Sequence, residues 1–280
     1  MLSRMKAGAH RVLRELATLQ LRSLSDEDQA VIVEGCLDSM TTDVETDGLR
    51  LRFITPTPIL LWRATGLLTK EPETISWIRR FEPDEVFWDI GANVGVYSIY
   101  AAAIRRSRVL AFEPSADNYM VLCRNAEVNR LQSRVTPYCI ALAGKTELGF
   151  LSSNSRGLGA ALNQFGARGE KSPYWTNNEG ICAQGMVGFR VDDFIQQFAP
   201  PFPSHLKLDV DGLELSIVQG AVGTLADRRV KSIMIELNVD DEHEVATVSS
   251  ILSEIGLKLD SRGVMQSSAG TRAQNHLFKR

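Results

Sequence analysis

Residues 86–98 read VFWDIGANVGVYS, an apolar run that contains one acid and leads directly into a glycine-containing turn. The apolar run is typical of a buried strand, and glycine allows a ligand to approach the backbone closely. A turn of this kind can hold a phosphate group, a dinucleotide or a smaller adenosine compound. Which of these ligands fits the turn decides what chemistry the chain can support.

The spacing of the glycines excludes two of these three ligands. A phosphate-binding loop of the form GxxxxGK[ST] needs a lysine, and no lysine follows Gly95 directly. The dinucleotide pattern GxGxxG fails because its three glycine positions hold Gly91, Asn93 and Val96. The pattern that remains, D-x-G-x-N-x-G, suits an adenosine compound with an amino-acid tail. Asp89 could then pair with the ammonium group of that tail.

A second acid follows the next predicted strand. Residues 109–112 read VLAF and are followed by Glu113, about twenty residues beyond the glycine turn. An acid at this position accepts hydrogen bonds from the ribose hydroxyls of a bound nucleotide. Each acid alone could be an ordinary surface residue, but their shared position at strand ends favours a binding site.

The rest of the chain supplies the framework for these residues. From residue 86 onward, short apolar strands alternate with helical segments, which predicts an α/β fold with a doubly wound, mostly parallel sheet. Such sheets bind ligands at the carboxyl ends of their strands. The predicted strands are residues 86–90, 109–112, 135–142, 206–210, 232–237, 257–260 and 275–280.

Residues 1–70 are predicted to form an N-terminal helical and extended segment. Residues 1–22 have one apolar and one basic face, which fits either a surface helix or a peripheral contact with a membrane. Ser25 precedes three acids and predicts the start of a helix that ends near residue 40. Residues 43–62 are expected to be a hairpin or extended segment.

Residues 144–190 interrupt the alternation within the main domain, which is predicted to span residues 71–280. The segment is rich in glycine, serine and asparagine, and it contains Phe165, Tyr174 and Trp175. Connections of this length are usually functional or disordered. We expect an insertion that faces the substrate and is partly ordered as a hairpin.

The composition is that of a soluble globular protein. The net charge is −3, with 44% hydrophobic and 23% charged residues, which argues against nucleic acid as the main partner. No apolar run is long enough to span a membrane. The cysteines lack zinc-site spacing and favour a reducing, cytoplasmic location; they are Cys36, Cys123, Cys139 and Cys182.

Three segments, VFWDIGANVGVYS, AFEPSADNYMVLCRNAEVNRL and HLKLDVDGLELSIVQGA, occur in this order and are followed by IMIEL. Together they resemble the FkbM-type family of S-adenosylmethionine-dependent methyltransferases over roughly residues 70–280. The resemblance implies a Rossmann-like class I methyltransferase sheet of seven strands, the last antiparallel, with an N-terminal helical extension. It also implies O-methylation of a hydroxyl on a sugar, glycan or natural-product acceptor, with S-adenosyl-L-methionine as cofactor.

The resemblance assigns roles to individual residues. The methionine end of the cofactor would be lined by Asp89, Gly91, Asn93 and Gly95. Glu113 would hold the ribose, and Ser115 and Ala141 would flank the adenine. Asn125 and Asn129 match the family's helix pattern, and either could equally tie the helix to the sheet.

Asp209 and Asp211 are the candidate catalytic residues in the LKLDVDGLE segment. A hydroxyl acceptor must lose its proton during methyl transfer, and a nearby carboxylate can accept it as a general base. Lys207 is interpreted as a structural or supporting residue. Asp209, Glu236 and Asn238 end neighbouring strands and could hold Mg²⁺, but the resemblance does not require a metal, so none is expected.

Two other functions remain open. One is an NAD(P)-dependent oxidoreductase on a Rossmann-like fold, although the chain lacks the dinucleotide glycines and a Tyr-x-x-x-Lys proton relay. The other is a non-catalytic module that binds S-adenosylmethionine. His205 and His276 are weak catalytic candidates, because a lone histidine is more often a structural residue.

Overall fold

The computed structural model describes residues 16–153, 157–168, 182–268 and 271–280. Contacts divide the chain into two compact units, Met1–Thr41 and Thr42–Arg280. In the first unit, residues 16–22 are helical (α1), and α2 spans Asp26–Ser39. The Ser25 hydroxyl accepts a hydrogen bond from Asp28 N at 3.1 Å, which confirms the predicted helix start. Most of the predicted basic helix, residues 1–15, lies outside the described residues.

The second unit alternates strands and helices. Its first half contains β1 (Thr41–Thr46), β2 (Leu49–Ile54), α3 (Pro58–Thr65), α4 (Pro72–Ile78), β3 (Val86–Ile90), α5 (Val96–Ile104), β4 (Arg108–Phe112), α6 (Ala116–Val128) and β5 (Val135–Tyr138). The insertion follows with β6 (Ala141–Ala143), β7 (Glu147–Ser153), β8 (Gln164–Gly166) and β9 (Cys182–Arg190). The last part contains α7 (Val191–Phe198), β10 (His205–Leu208), α8 (Glu214–Gly220), α9 (Val222–Ala226), β11 (Ser232–Asn238), α10 (Glu242–Glu254), β12 (Lys258–Arg262), β13 (Gln266–Ser268) and β14 (Thr271–Lys279).

The central sheet has the strand order β12-β14-β11-β10-β3-β4-β5, and β13 pairs with β14 at its margin. Strands β5, β4, β3, β10 and β11 are parallel, whereas β14 is antiparallel to both of its neighbours. The order reverses between β3 and β10, which makes their carboxyl ends the place for a ligand. The predicted doubly wound α/β sheet with an antiparallel last strand is confirmed.

Alternation along β3 explains why helices cover both faces of this sheet. Phe87 packs into a core with α4 and α5, whereas Trp88 and Ile90 pack into a second core with α8 and α10. Asp89 lies on the face of Phe87 and therefore points towards α5. Among the described helices, none has the length and apolar character that crossing a bilayer requires.

The strand predicted for residues 135–142 is wrong, because the chain changes sheets within it. Strand β5 pairs with β4, whereas Ala141 in β6 pairs with Gly188 in β9. The insertion forms a second sheet of order β6-β9-β7-β8, more extensive than the hairpin that the sequence predicted. A run of apolar residues indicates a strand but not which strand is its partner, so it cannot show such a change.

Two asparagines, Asn125 in α6 and Asn129 directly after it, hold the hairpin formed by β1 and β2. Asn125 Oδ1 accepts a hydrogen bond from Ile54 N at 2.8 Å, and Asn129 Oδ1 accepts one from Arg52 N at 2.9 Å. These amides replace a neighbouring strand for β2, which identifies both asparagines as structural ties. Both ties lie within the unit Thr42–Arg280, and the predicted domain boundary near residue 70 stays a prediction.

Candidate active site

The carboxyl ends of four neighbouring strands surround one cavity, here called the cleft. Gly91 follows β3, Glu113 follows β4, Asp209 follows β10, and Glu236 lies near the end of β11. The cleft contains about 600 Å³ of space and is open to solvent. Its other lining residues are Arg63, Lys70, Asn93, Pro114, Ala161, Asn163, Val210 and Asp211.

Two glycines shape the turn after β3 for different reasons. Gly91 has a φ of +83°, and a Cβ atom there would lie 1.8 Å from the carbonyl oxygen of Asp209. Gly95 has a φ of +79°, and its Cβ would lie 2.1 Å from Cδ1 of Leu122 in α6. Gly91 therefore allows β3 and β10 to meet at the cleft. Gly95 allows α5 and α6 to pack and is not among the residues that line the cleft.

Backbone amides hold the carboxylate of Glu113 at the cleft. Its Oε1 accepts a hydrogen bond from Ser115 N at 2.9 Å, and its Oε2 accepts one from Asn93 N at 2.8 Å. Burial raises the pKa of Glu113 to about 7, against the effect of these two amides. The Ser115 hydroxyl caps α6 by accepting a hydrogen bond from Asn118 N, so Ser115 supports the site from outside the cleft.

Asn93 places an unsatisfied acceptor beside the cleft. Its φ of 50° lies in the left-handed region, and its Nδ2 donates a hydrogen bond to Ala160 O at 3.0 Å. Its buried Oδ1 has no hydrogen-bond partner among the described residues. A buried acceptor without a partner costs free energy, so this oxygen indicates a donor that would come with a ligand.

Residues 157–163, here called the cover segment, close one side of the cleft. Their backbone is hydrogen-bonded to four side chains, those of Arg63, Asn93, Asn118 and Asp211. The shortest of these contacts is the 2.7 Å hydrogen bond from Leu162 N to Asp211 Oδ2. The cover segment belongs to the insertion, which therefore reaches the cleft as the sequence predicted.

A small apolar pocket adjoins the cleft and shares Gly91, Pro114, Asn163 and Val210 with it. The other lining residues are apolar: Ile90, Phe112, Ile140, Ala141, Leu142, Leu151, Phe165 and Leu213. Mostly apolar walls beside a few polar groups are typical of sites that bind flat heterocycles. Ala141, predicted to flank an adenine, lies in this pocket.

Ion pairs join two lining residues of the cleft, Lys70 and Asp209, to two charged residues buried beneath it, Glu71 and Lys207. The Nζ atom of Lys207, a side chain with 2% exposure, lies 2.6 Å from Asp209 Oδ2 and 3.6 Å from Glu71 Oε2. Lys70 Nζ lies 2.8 Å from Glu71 Oε1. Burial alone would raise the pKa of Asp209, but the ammonium groups of Lys207 and Lys70 hold it well below its usual range.

Asp89 belongs to this buried layer and is not among the lining residues of the cleft. It lies beside Lys207 in the sheet register, and its Oδ2 accepts a hydrogen bond from Ser98 Oγ at 2.6 Å. Burial raises the pKa of Asp89 to about 6, with Lys207 acting in the opposite direction. Asp89 therefore ties β3 to α5 one layer below the position that the sequence predicted for it.

Asp211 and Glu236, two further acids that line the cleft, differ from Asp209. Burial, with repulsion from Asp209, raises the pKa of Asp211 to about 6. The charge of Asp209, together with burial, raises the pKa of Glu236 well above its usual value. At neutral pH, Asp211 is therefore largely ionised but readily protonated, whereas Asp209 is kept ionised by Lys207. Of the two catalytic candidates, Asp211 has the better properties for a base.

The acids also form a possible metal cluster. Oxygen atoms of Glu71, Asp209 and Glu236 lie within 4.8 Å of one another, and such ligands suit Mg²⁺. Asn238, which the sequence suggested as a further ligand, is the last residue of β11, two residues after Glu236. The ammonium group of Lys207 already supplies positive charge to Asp209 and Glu71.

The two histidines lie away from the lining of the cleft. His205 stacks on Phe81 with ring centroids 3.8 Å apart, and its Nδ1 lies 2.7 Å from Ser232 Oγ. His276 is buried in β14, with its Nδ1 3.0 Å from Gln274 O. These contacts assign structural positions to both residues.

Sequence reasoning missed three residues that the structure brings to the cleft or beneath it. Arg63 lies in α3, and Lys70 and Glu71 directly precede α4. Arg63 and Lys70 line the cleft, and Glu71 lies under it. No motif in the first 85 residues marks them, because their role depends on how these helices pack against the strand ends.

The strand order and the cleft define a class I methyltransferase fold, and comparison with known proteins gives the family. The profile of the methyltransferase FkbM domain matches residues 89–262, more than half of the chain. The chain therefore belongs to the FkbM methyltransferase family, and it is an S-adenosylmethionine-dependent methyltransferase.

Known relatives are distant in sequence. Hexuronic acid methyltransferase AglP of Haloferax volcanii is 24% identical over 219 residues, which cover 77% of this chain and 81% of that protein. A solved structure of TYW2 from M. jannaschii with AdoMet is 12% identical and covers 86% of this chain and 87% of that one, with a TM-score of 0.45. Precorrin-6y C5,15-methyltransferase from Geobacter metallireducens is 14% identical and covers 74% and 85%, with a TM-score of 0.42. These scores are low, so the fold assignment rests on the strand order.

Proposed function

We propose that the protein transfers the methyl group of S-adenosylmethionine to a hydroxyl of a sugar acceptor. The observation that carries this proposal is the position of Asp211, an ionisable carboxylate with a raised pKa that lines the same cleft as the glycine turn and Glu113. The name of the Haloferax relative makes hexuronic acids the first acceptor class to test.

The described residues fit the cofactor. The apolar pocket that contains Ala141 and Phe165 would enclose the adenine, and Glu113 would accept hydrogen bonds from the ribose hydroxyls. Asn93 Oδ1, which lacks a partner among the described residues, would accept a hydrogen bond from the amino-acid end. Gly91 keeps the backbone free of a side chain at the same place. When bound, S-adenosylmethionine supplies a methyl group activated by its sulfonium centre.

The chain's own contribution is to position the acceptor and to remove its proton. Asp211 would accept the proton of the acceptor hydroxyl as the oxygen attacks. Its Oδ2 is fixed by the hydrogen bond from Leu162 N, which orients the carboxylate before the acceptor arrives. Asp209, held ionised by Lys207, would provide negative charge near the positively charged centre of the cofactor. The cover segment would limit access of water.

We propose that this transfer does not need Mg²⁺, because the ammonium group of Lys207 takes the position of a counter-ion beside Asp209 and Glu71. A cytoplasmic location and a peripheral membrane contact through residues 1–22 stay predictions. The free thiols of Cys123 and Cys139 are compatible with a reducing compartment.

The function is tested with S-adenosylmethionine labelled in its methyl group and with three acceptors: methyl glucuronoside, methyl glucoside and free glucuronic acid. Labelled product that survives mild alkali would identify an ether and support transfer to a hydroxyl. Labelled product that mild alkali hydrolyses would identify a methyl ester. The methyl acceptor would then be the carboxylate of the sugar and not a hydroxyl. No sugar labelling by a protein that binds S-adenosylhomocysteine would contradict the sugar proposal.

A further inference from the structure

The cleft contains a cation that differs from its neighbours in how it is paired. Lys70 is paired with Glu71 at 2.8 Å, and Lys207 with Asp209 at 2.6 Å. Arg63, which lies in the last turn of α3, forms no ion pair with any described residue within 4.0 Å. Its positive charge therefore remains available at the lining of the cleft.

The donors of Arg63 are arranged to meet a ligand. Its Nε donates a hydrogen bond to the carbonyl oxygen of Gly159 in the cover segment at 2.8 Å. This contact fixes the plane of the guanidinium group, while its two terminal nitrogens have no hydrogen-bond acceptor among the described residues. A guanidinium group presented in this way matches the two oxygens of a carboxylate.

The surrounding charges restrict what could approach Arg63. The side chain is half-buried, and Asp209, Glu113 and Asp211 are the acids whose fields reach it. These acids would repel a carboxylate everywhere else in the cleft, and Lys70 and Lys207 are already neutralised by their partners. A ligand carboxylate would thus find its most favourable position at Arg63.

We propose that Arg63 binds a carboxylate group that enters the cleft as part of a ligand, an inference that rests on the proposed function. Two ligands of that reaction carry such a group. One is the amino-acid end of S-adenosylmethionine, and the other is a hexuronic acid acceptor. The shared chemistry is a bidentate guanidinium–carboxylate contact, and the two sources are separated by the experiment below.

The first arm uses isothermal titration of wild-type protein, Arg63→Gln and Arg63→Lys with two cofactor analogues. S-adenosylhomocysteine has the carboxylate, whereas 5′-methylthioadenosine lacks the whole amino-acid end. If the cofactor is the source, Arg63→Gln weakens S-adenosylhomocysteine by about tenfold to hundredfold, the usual loss for one hydrogen-bonded charged contact. Arg63→Gln leaves the affinity for 5′-methylthioadenosine within about twofold of the wild-type value. The affinity of Arg63→Lys for S-adenosylhomocysteine lies between those of wild type and Arg63→Gln, because lysine keeps the charge but not the planar guanidinium group.

The second arm titrates methyl glucuronoside and methyl glucoside into protein saturated with S-adenosylhomocysteine. If the acceptor is the source of the carboxylate, Arg63→Gln weakens binding of the glucuronoside by about tenfold or more and leaves binding of the glucoside unchanged. S-adenosylhomocysteine then binds to the variant as it does to wild type. This result assigns the contact to the acceptor and identifies the acceptor as an acid.

Arg105→Gln is the matched control, because Arg105 is also half-buried and its Nε also donates to a backbone carbonyl, that of Phe81. It should leave every affinity unchanged, and melting temperatures show whether each variant is folded. If Arg63→Gln is folded and binds all four ligands as wild type does, the assignment of Arg63 is overturned. Failure of the proposed function gives a different pattern: intact binding of S-adenosylhomocysteine, selectively weakened by Arg63→Gln, without methyl transfer to any sugar.

Discussion

Lys207 and Asp209 face each other across 2.6 Å, with the ammonium group buried and the carboxylate at the floor of the cleft. This pair gives Asp209 an electrostatic environment that differs from that of Asp211, which lies only two residues further along the chain. Asp209 has the Lys207 ammonium group as its counter-ion, whereas Asp211 Oδ2 accepts a hydrogen bond from the backbone amide of Leu162. The proposed division of labour, with Asp209 as a fixed charge and Asp211 as the base, follows from this difference.

Replacing Asp211 by asparagine should reduce kcat by about a hundredfold to ten-thousandfold, the range for loss of a general base. Asparagine can keep the hydrogen bond from Leu162 N, so the cover segment should stay in place. The fold should be at least as stable at pH 7–8, because the pKa of Asp211 is raised to about 6 and its ionised form is disfavoured in the folded state. Single-turnover rates and thermal melts measure the two effects.

The pH profile gives an independent test of the same base. With the pKa of Asp211 raised to about 6, kcat should fall as the pH drops below that value and be constant above it. The residual kcat of Asp211→Asn should not show this fall at low pH. An Asp209→Asn variant that keeps full stability and loses this fall instead would reassign the base to Asp209.

Lys207→Met should destabilise the fold by about 3–5 kcal/mol, because it leaves buried carboxylates without their cation. The affected acids are Glu71 and Asp209, both paired with Lys207 in the intact protein. Adding Glu71→Gln to Lys207→Met should recover part of this loss, since it removes one of the unpaired charges. Urea denaturation of the two variants measures the difference. Equal stability of the single and double variants would show that Glu71 does not depend on Lys207.

Glu113→Gln should weaken S-adenosylhomocysteine by about tenfold to hundredfold, the loss expected for a hydrogen-bonded charged group. The wild-type affinity should also increase from pH 6 to pH 8, because burial raises the pKa of Glu113 to about 7 and the ionised form is the better acceptor. The variant should not show this pH dependence. Glu85→Gln is the matched control, since Glu85 is a partly buried acid directly before the amino end of β3, away from the cleft at the carboxyl ends.

Gly91→Ala and Gly48→Ala compare a crowded left-handed glycine with an open one. Both positions have positive φ, +83° and +76°, but a Cβ at Gly48 would have nothing within 4 Å. Gly48→Ala should therefore cost only the conformational strain, about 1–2 kcal/mol. Gly91→Ala should cost clearly more, above about 3 kcal/mol, because its Cβ would overlap the Asp209 carbonyl oxygen. Equal costs in chemical denaturation would show that β3 and β10 can separate freely.

Chelation tests the proposal that no metal is required. Because Lys207 supplies positive charge beside Asp209 and Glu71, EDTA should leave the initial rate of methyl transfer unchanged, and added Mg²⁺ should not raise it. A rate that falls with EDTA and recovers with Mg²⁺ would place a cation in the acidic cluster after all.

The positions of the acids at the strand ends could be predicted from the sequence, whereas the charged groups that surround them could not. Asp89, Glu113 and Asp209 each lie at or next to the carboxyl end of a strand, and parallel strands bring such ends together. The sequence could not separate Asp209 from Asp211, because the pKa of each depends on burial and on the charged group beside it, which is Lys207 for Asp209 and Asp209 for Asp211. Asp89 and Gly95 match the predicted pattern, but the Asp89 side chain is hydrogen-bonded to Ser98 in α5, and Gly95 provides the space that Leu122 of α6 occupies.

The contribution of α3 was out of reach for a different reason. Arg63 and Lys70 precede the recognisable motifs, and only tertiary packing brings them to the cleft. The break between β5 and β6 was missed because apolar periodicity reports burial and not which strand is the partner.

That break has a consequence for how the protein can diversify. The glycine turn follows a strand of the central sheet, whereas the cover segment lies in the connection between β7 and β8 of the second sheet, in which β6 pairs with β9. A change of length between β7 and β9 therefore leaves the register of β3 with β4 and β10 intact. Under the proposed function, the part of the insertion between β7 and β9 can vary the acceptor side of the cleft, provided that Leu151 and Phe165 keep lining the pocket assigned to the adenine.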